Sequence, residues 1–225
     1  MSTGPASASD ECVVLLHGLA RTKNSMKPLA KALGAEGYQV VNLGYPSRKY
    51  PVETLAAMAI DPALKQCGEG KKINFVTHSL GGILVRQYLH NHTIPNLHRV
   101  VMLGPPNKGS DVVDKLGKVP GFHLLNGDAG EQLGTHPDSL PNTLGPVNFE
   151  LGVIAGTHTF NPFLSLLIKG KNDGKVAVEN TKVEGMKDFK VMPVTHTFMM
   201  KNKKVIEQVL YFLKNGIFFS PPLAR

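Results

Sequence analysis

Brief apolar runs alternate along the chain with longer runs of helical spacing. Val13 to Leu16, Gln39 to Leu43, Ile73 to Val76, Arg99 to Leu103, Glu150 to Ala155 and Lys190 to Met192 read as strands, each a short apolar or β-branched stretch bounded by turn residues. Between them, Ser25 to Leu33, Val52 to Gln66, Leu80 to His90 and Lys203 to Leu213 place apolar residues on one side of a helix. Strand-helix alternation predicts an α/β fold of about six mostly parallel strands, flanked by helices on both faces. In such sheets ligands bind outside the carboxyl ends of the strands.

The stretch from Leu103 to Phe149 breaks the pattern with Pro105-Pro106, Gly121, Asn126-Gly127 and Pro141-Asn142. A small lid within 105–148 is expected there, too short for a large cap. Phe122, Leu124, Leu125 and Leu133 either wall a pocket or pack a surface helix onto the sheet.

Ser79 stands between the strand run Ile73 to Val76 and the helical run that opens at Leu80-Gly81-Gly82. That is the outline of a nucleophile elbow, in which a sharp strand-to-helix turn exposes a serine hydroxyl above the sheet. A serine at this junction would serve equally well as an ordinary N-cap. What separates the readings is whether a base, an orienting acid and oxyanion donors are also encoded. His17-Gly18-Leu19-Ala20 follows the first strand and offers amides of Leu19 and Leu80 as donors, with His17 and Gly18 supporting the turn. Asp173, in Asn172-Asp173-Gly174, and His196, in Thr195-His196-Thr197, follow later strand runs. The order Ser79, Asp173, His196 is that of α/β hydrolases. Asp111, Asp114, Asp128, Asp138 and Asp188 are rival acids in less fitting settings. Asp-Gly is also a plain turn signal, and His196 could pack ahead of Phe198-Met199-Met200. His90, His92 and His98 read as solvated positions near a helix end, and His123, His136 and His158 as loop residues.

The motifs Leu15-Leu16-His17-Gly18-Leu19, Phe75-Val76-Thr77-His78-Ser79-Leu80-Gly81-Gly82, Leu103-Gly104-Pro105-Pro106-Asn107-Lys108-Gly109-Ser110, Asn172-Asp173-Gly174 with Val176, and Thr195-His196-Thr197-Phe198 span most of the chain. With them the chain resembles a small α/β-hydrolase-fold esterase or lipase of the bacterial minimal kind. Thr77 replaces the first glycine of G-x-S-x-G, and Pro106-Asn107 stands where such lipases often read Pro-His. The resemblance implies a serine hydrolase acting on short- to medium-chain acyl esters through Ser79, His196 and Asp173, with no cofactor and no metal. An acyltransferase or thioesterase would use the same residues, and a non-catalytic binding protein would need none of them. The first strand arrives early, so the two leading strands of larger relatives are expected to be missing. In this fold Cys12 and Cys67 lie near neighbouring strand ends; free thiols, common in reduced proteins, are expected, with one bridge as the alternative.

Composition fits one domain over residues 11–225 after a flexible leader at 1–10: of 225 residues, 42% are hydrophobic and 19% charged. The leader lacks the basic start and apolar centre of a secretory signal. The expectation is a cytoplasmic protein, or a periplasmic or secreted one had a signal been removed. The net charge of +8 is spread without arginine-rich runs or interleaved aromatics, so no nucleic-acid partner is expected. A transient contact with anionic lipid is the alternative use of that charge, and a monomer is expected.

Overall fold

The computed structural model describes residues 10–117, 119–160 and 162–221. The expected leader, Asp10 apart, lies outside the described residues, as do the side chains of Phe122 and Leu125. Six strands form one sheet: β1 (Glu11–Leu16), β2 (Gln39–Val41), β3 (Lys72–His78), β4 (Leu97–Leu103), β5 (Leu151–His158) and β6 (Asp188–Thr195). Their order is β2-β1-β3-β4-β5-β6, and every neighbouring pair is parallel. The helices are α1 (Lys27–Ala35), α2 (Val52–Cys67), α3 (Leu80–Asn91), α4 (Asp111–Leu116), α5 (Phe122–Glu131), α6 (Leu140–Thr143), α7 (Pro162–Leu166), α8 (Val178–Thr181) and α9 (Lys203–Asn215).

Strand side chains alternate between two cores. Cys12, Val14, Leu16, Phe75, Val100 and Met102 face α2 and α3 on one side. Val13, Leu15, Val76, Val101 and Leu103 face α1 and α9 on the other. Burial on both faces explains why the strands read as near-continuous apolar runs. Helix α9 shows the clearest division, with Val205, Val209, Phe212 and Leu213 buried and a polar opposite face.

The differences from the expected elements have local causes. Pro28 sits in the first turn of α1 and fixes its start, so Ser25 falls in a preceding 3₁₀ turn at Lys23–Met26. Strand β6 runs past Met192 through Pro193 to Thr195. Because β6 is an edge strand, it tolerates a residue with no amide to donate. His98 stands on β4, His123 in α5 and His158 at the end of β5.

Cys12 and Cys67 form a disulfide, with Cα atoms 5.7 Å apart, which corrects the expectation of free thiols. Cys12 points into the same core as the last turn of α2, so the chain returns Cys67 directly over β1. The general rarity of bridges in reduced proteins carried no information about this geometry.

Candidate active site

The β3-to-α3 junction is as sharp as the glycine pair implied. Ser79 has φ 53° and ψ −120°, the left-handed side of backbone space that a non-glycine residue rarely occupies. Its N–H donates to the Leu103 carbonyl at 2.9 Å, while its side chain makes no cap to α3. The N-cap reading therefore fails on geometry. Gly81 allows the close crossing: a Cβ there would stand 2.7 Å from the Leu16 carbonyl oxygen. Thr77, where the family pattern has glycine, is fully buried on β3 and meets no such constraint.

Asp173 and His196 are brought together from the ends of different loops. His196 Nδ1 lies 2.8 Å from Asp173 Oδ2, and the His196 N–H donates to the Asp173 carbonyl at 3.1 Å. The other carboxylate oxygen accepts the amides of Lys175 at 3.0 Å and Val176 at 2.9 Å. With Asp173 only 2% exposed, these contacts fix the carboxylate in one orientation. A carboxylate so placed holds a proton on His196 Nδ1 and leaves Nε2 free to accept one. The rival acids are engaged elsewhere: Asp111 with Asn180, Asp114 with Thr135, Asp128 with His123, Asp138 with His136, and Asp188 with the amides of Phe189 and Phe218.

The turn after β1 is locked by His17 together with Tyr45 and Ser47, two residues that the sequence did not single out. His17 Nδ1 donates to the Gly18 carbonyl at 2.9 Å, so its Nε2 accepts, here from the Tyr45 N–H at 3.4 Å. The rings of His17 and Tyr45 stack at 4.1 Å, and the Tyr45 hydroxyl donates to the His17 carbonyl. Burial holds the His17 pKa below its usual value. Ser47 Oγ accepts the Ala20 N–H at 3.1 Å, steadying a residue with φ 54°. Leu19 lies in this turn, and Leu80 supplies the first amide of α3, where helical amides lack internal partners.

His78, next to Ser79, is a third residue that the sequence did not single out. Its Nε2 donates to the His196 carbonyl at 2.9 Å, and the two rings lie 4.8 Å apart. Burial, then the His196 charge, keep its pKa well below the usual histidine value. Asn107 explains the second departure from the family pattern. It is buried, takes Arg86 Nη1 on its carbonyl at 2.9 Å and gives its amide to the Thr181 carbonyl at 2.8 Å. Arg86 Nη2 reaches the Gly145 carbonyl at 2.8 Å; burial pushes this guanidinium down to about 10. Asn107 thus joins α3 to the chain near α8.

Ser79, His78, His196 and Leu19 open onto one cavity of about 110 Å³. Pro106, Val112, Val113 and Leu133 form its apolar wall, so of the expected wall residues Leu133 is in place. Leu124 is instead 81% exposed.

The fold is that of an α/β hydrolase. The chain superposes on the mature lipase BlEst2 of Bacillus licheniformis with a TM-score of 0.73 at 18% identity, covering 94% of each chain. It matches the phospholipase PlaB of Legionella pneumophila with a TM-score of 0.71 at 19% identity, over 92% of this chain and 59% of that one. The esterase EaEST of Exiguobacterium antarcticum gives 0.63 at 19% identity, over 93% and 94%. No family model and no curated protein sequence matches the chain.

Proposed function

We propose that the chain is a carboxylic-ester hydrolase in which Ser79 is the nucleophile, His196 the general base and Asp173 the residue that orients it. The observation that carries this reading is the buried Asp173–His196 hydrogen bond of 2.8 Å opening onto the same cavity as a serine held at φ 53°. His196 Nε2 takes the Ser79 proton as the oxygen attacks the ester carbonyl. The Leu19 and Leu80 amides receive the developing oxyanion, and His196 returns the proton to the departing alcohol. Water, activated by the same His196, then releases the acid. Solved lipases and esterases of the same fold support the ester chemistry.

An apolar cavity of ~150 Å³ accepts a benzene ring, so about 110 Å³ suits a short acyl chain, with longer chains extending from the mouth. The exposed side chains of Phe160 and Phe198, whose rings meet edge-on, and of Phe163 and Leu166 support transient contact with lipid. Flotation with anionic vesicles tests this contact, which is rejected if Phe163→Asp binds as the parent does. Acyl transfer to an alcohol or release from a thioester would need no other residues, and competing alcohols and thioesters separate these uses.

The deciding experiment is hydrolysis of p-nitrophenyl esters of graded chain length by the parent and Ser79→Ala, with fluorophosphonate labelling read by mass spectrometry. Activity and label are expected to vanish together in the variant. A parent that neither turns over nor labels rules the reading out.

A further inference from the structure

The cavity above Ser79 is lined by two cations, Arg21 and Lys175, and by no acidic side chain. They come from distant parts of the chain. Arg21 closes the turn that carries Leu19, its N–H donating to the Gly18 carbonyl at 3.2 Å. Lys175 follows Asp173 by two residues and binds it only through its backbone amide. Among the described residues, the lysines and arginines that pair with carboxylates are Arg99, Lys182 and Lys187. Asp173 offsets this charge only in part at Lys175, because it is buried and its oxygens are taken by two amides and His196.

We propose that this cavity selects esters bearing an anionic group, carboxylate or phosphate, held between Arg21 and Lys175 while the acyl chain lies on the apolar wall. The inference rests on the ester-hydrolase reading and names its substrate class. Two cations lining one cavity repel each other and are relieved by an anion placed between them. Lys175 already registers this environment: burial, then the Arg21 charge, hold its ammonium below the usual value although the Asp173 charge acts the other way. The wall of Pro106, Val112, Val113 and Leu133 offers no polar competitor for the chain. The pocket is therefore divided into an apolar side and a cationic side.

The test compares kcat/KM for p-nitrophenyl butyrate with that for the mono-p-nitrophenyl ester of glutarate, and for soluble dihexanoylglycerol with dihexanoyl phosphatidic acid. The first pair reports on carboxylate, the second on phosphate. The parent is expected to prefer the anionic member of at least one pair. In the double variant Arg21→Gln, Lys175→Gln that preference should fall about tenfold, as expected for two partly exposed charge contacts. Each single variant should lose about threefold, and Arg21→Lys with Lys175→Arg should keep the preference; thermal melts establish that every variant is folded. Lys65→Gln, on α2, controls for attraction by the overall charge of +8. The proposal is overturned if the parent shows no anionic preference, if the double variant keeps it, or if Lys65→Gln reduces it equally. Turnover of neutral esters in any of those cases leaves the hydrolase reading standing; absence of all turnover removes both.

Discussion

Gly18 lies directly against the imidazole of His78: a methyl group on Gly18 would stand 2.7 Å from His78 Nδ1 and 3.1 Å from Ser79 Cβ. The turn bearing Leu19 thus owes its position to the absence of a side chain one residue earlier. Both rings around it are buried, His17 and His78 being 1% and 2% exposed, so neither can swing away. Gly18→Ala is expected to displace the Leu19 amide and lower kcat by ~10²-fold, the usual effect of losing one oxyanion donor. Steady-state kinetics with a p-nitrophenyl ester checks this, and a kcat within threefold of the parent would refute it.

The Cys12–Cys67 bridge closes a loop of sequence separation 55. Chain-entropy estimates give a loop of this size ~4 kcal/mol of stabilisation. Paired replacement, Cys12→Ala with Cys67→Ala, should lower the urea midpoint accordingly, and the reducing agent that cleaves the bridge should act on the parent alone. Equal midpoints for parent and variant would show that the bridge contributes nothing.

Two buried histidines predict how stability depends on acidity. His17 and His78 both have depressed pKa values in the folded chain, whereas an unfolded histidine titrates near 6.5. Below about pH 6.5 the unfolded chain therefore binds more protons than the folded one, and stability falls as pH falls. Above that value neither state is protonated at these sites and they contribute no slope. Each group adds ~1.4 kcal/mol of loss per pH unit until its folded pKa is reached. Urea midpoints between pH 7 and 5 should decline more steeply for the parent than for His78→Asn, and parallel declines would contradict this account.

Thr77 Oγ1 is buried and, among the described residues, has no hydrogen-bond partner. An unpaired buried hydroxyl costs ~1–3 kcal/mol. Thr77→Val keeps the shape and removes the hydroxyl, so it should raise Tm, by roughly 2–4 °C for each kcal/mol recovered in a domain of this size. Thr77→Gly, the residue of the family pattern, should lower Tm through lost packing and added backbone freedom. Calorimetry of the two variants decides, and a lower Tm for Thr77→Val would count against the unpaired hydroxyl.

The sheet was legible because its inner strands β1, β3, β4 and β5 are largely buried apolar runs, and the strand ends pointed to Ser79, Asp173 and His196. Edges were less legible. Pro193 hid the second half of β6, since a proline signals an interruption unless the strand is known to lie at an edge. Tyr45 and Ser47 carry no local signal at all; they matter because β2 is the neighbour of β1, which sets them beside His17 and Ala20. The disulfide was misjudged because it depends on where α2 ends above β1. Arg21 and Lys175 read as ordinary surface charge in the chain and become a pair only when the two loops converge.

The bridged loop from Cys12 to Cys67 contains the His17 turn, Tyr45 and Ser47, while Ser79, Asp173 and His196 all lie beyond it. On the proposed mechanism the covalent clip fastens the half of the site that carries the first oxyanion donor, Leu19, and leaves the half with Ser79, the second donor Leu80 and the proton relay to hydrogen bonds and packing. Under reducing conditions these halves would age differently: a chain with an intact proton relay could still be acylated by the most reactive esters while losing those that depend on a firm cradle for the tetrahedral oxygen.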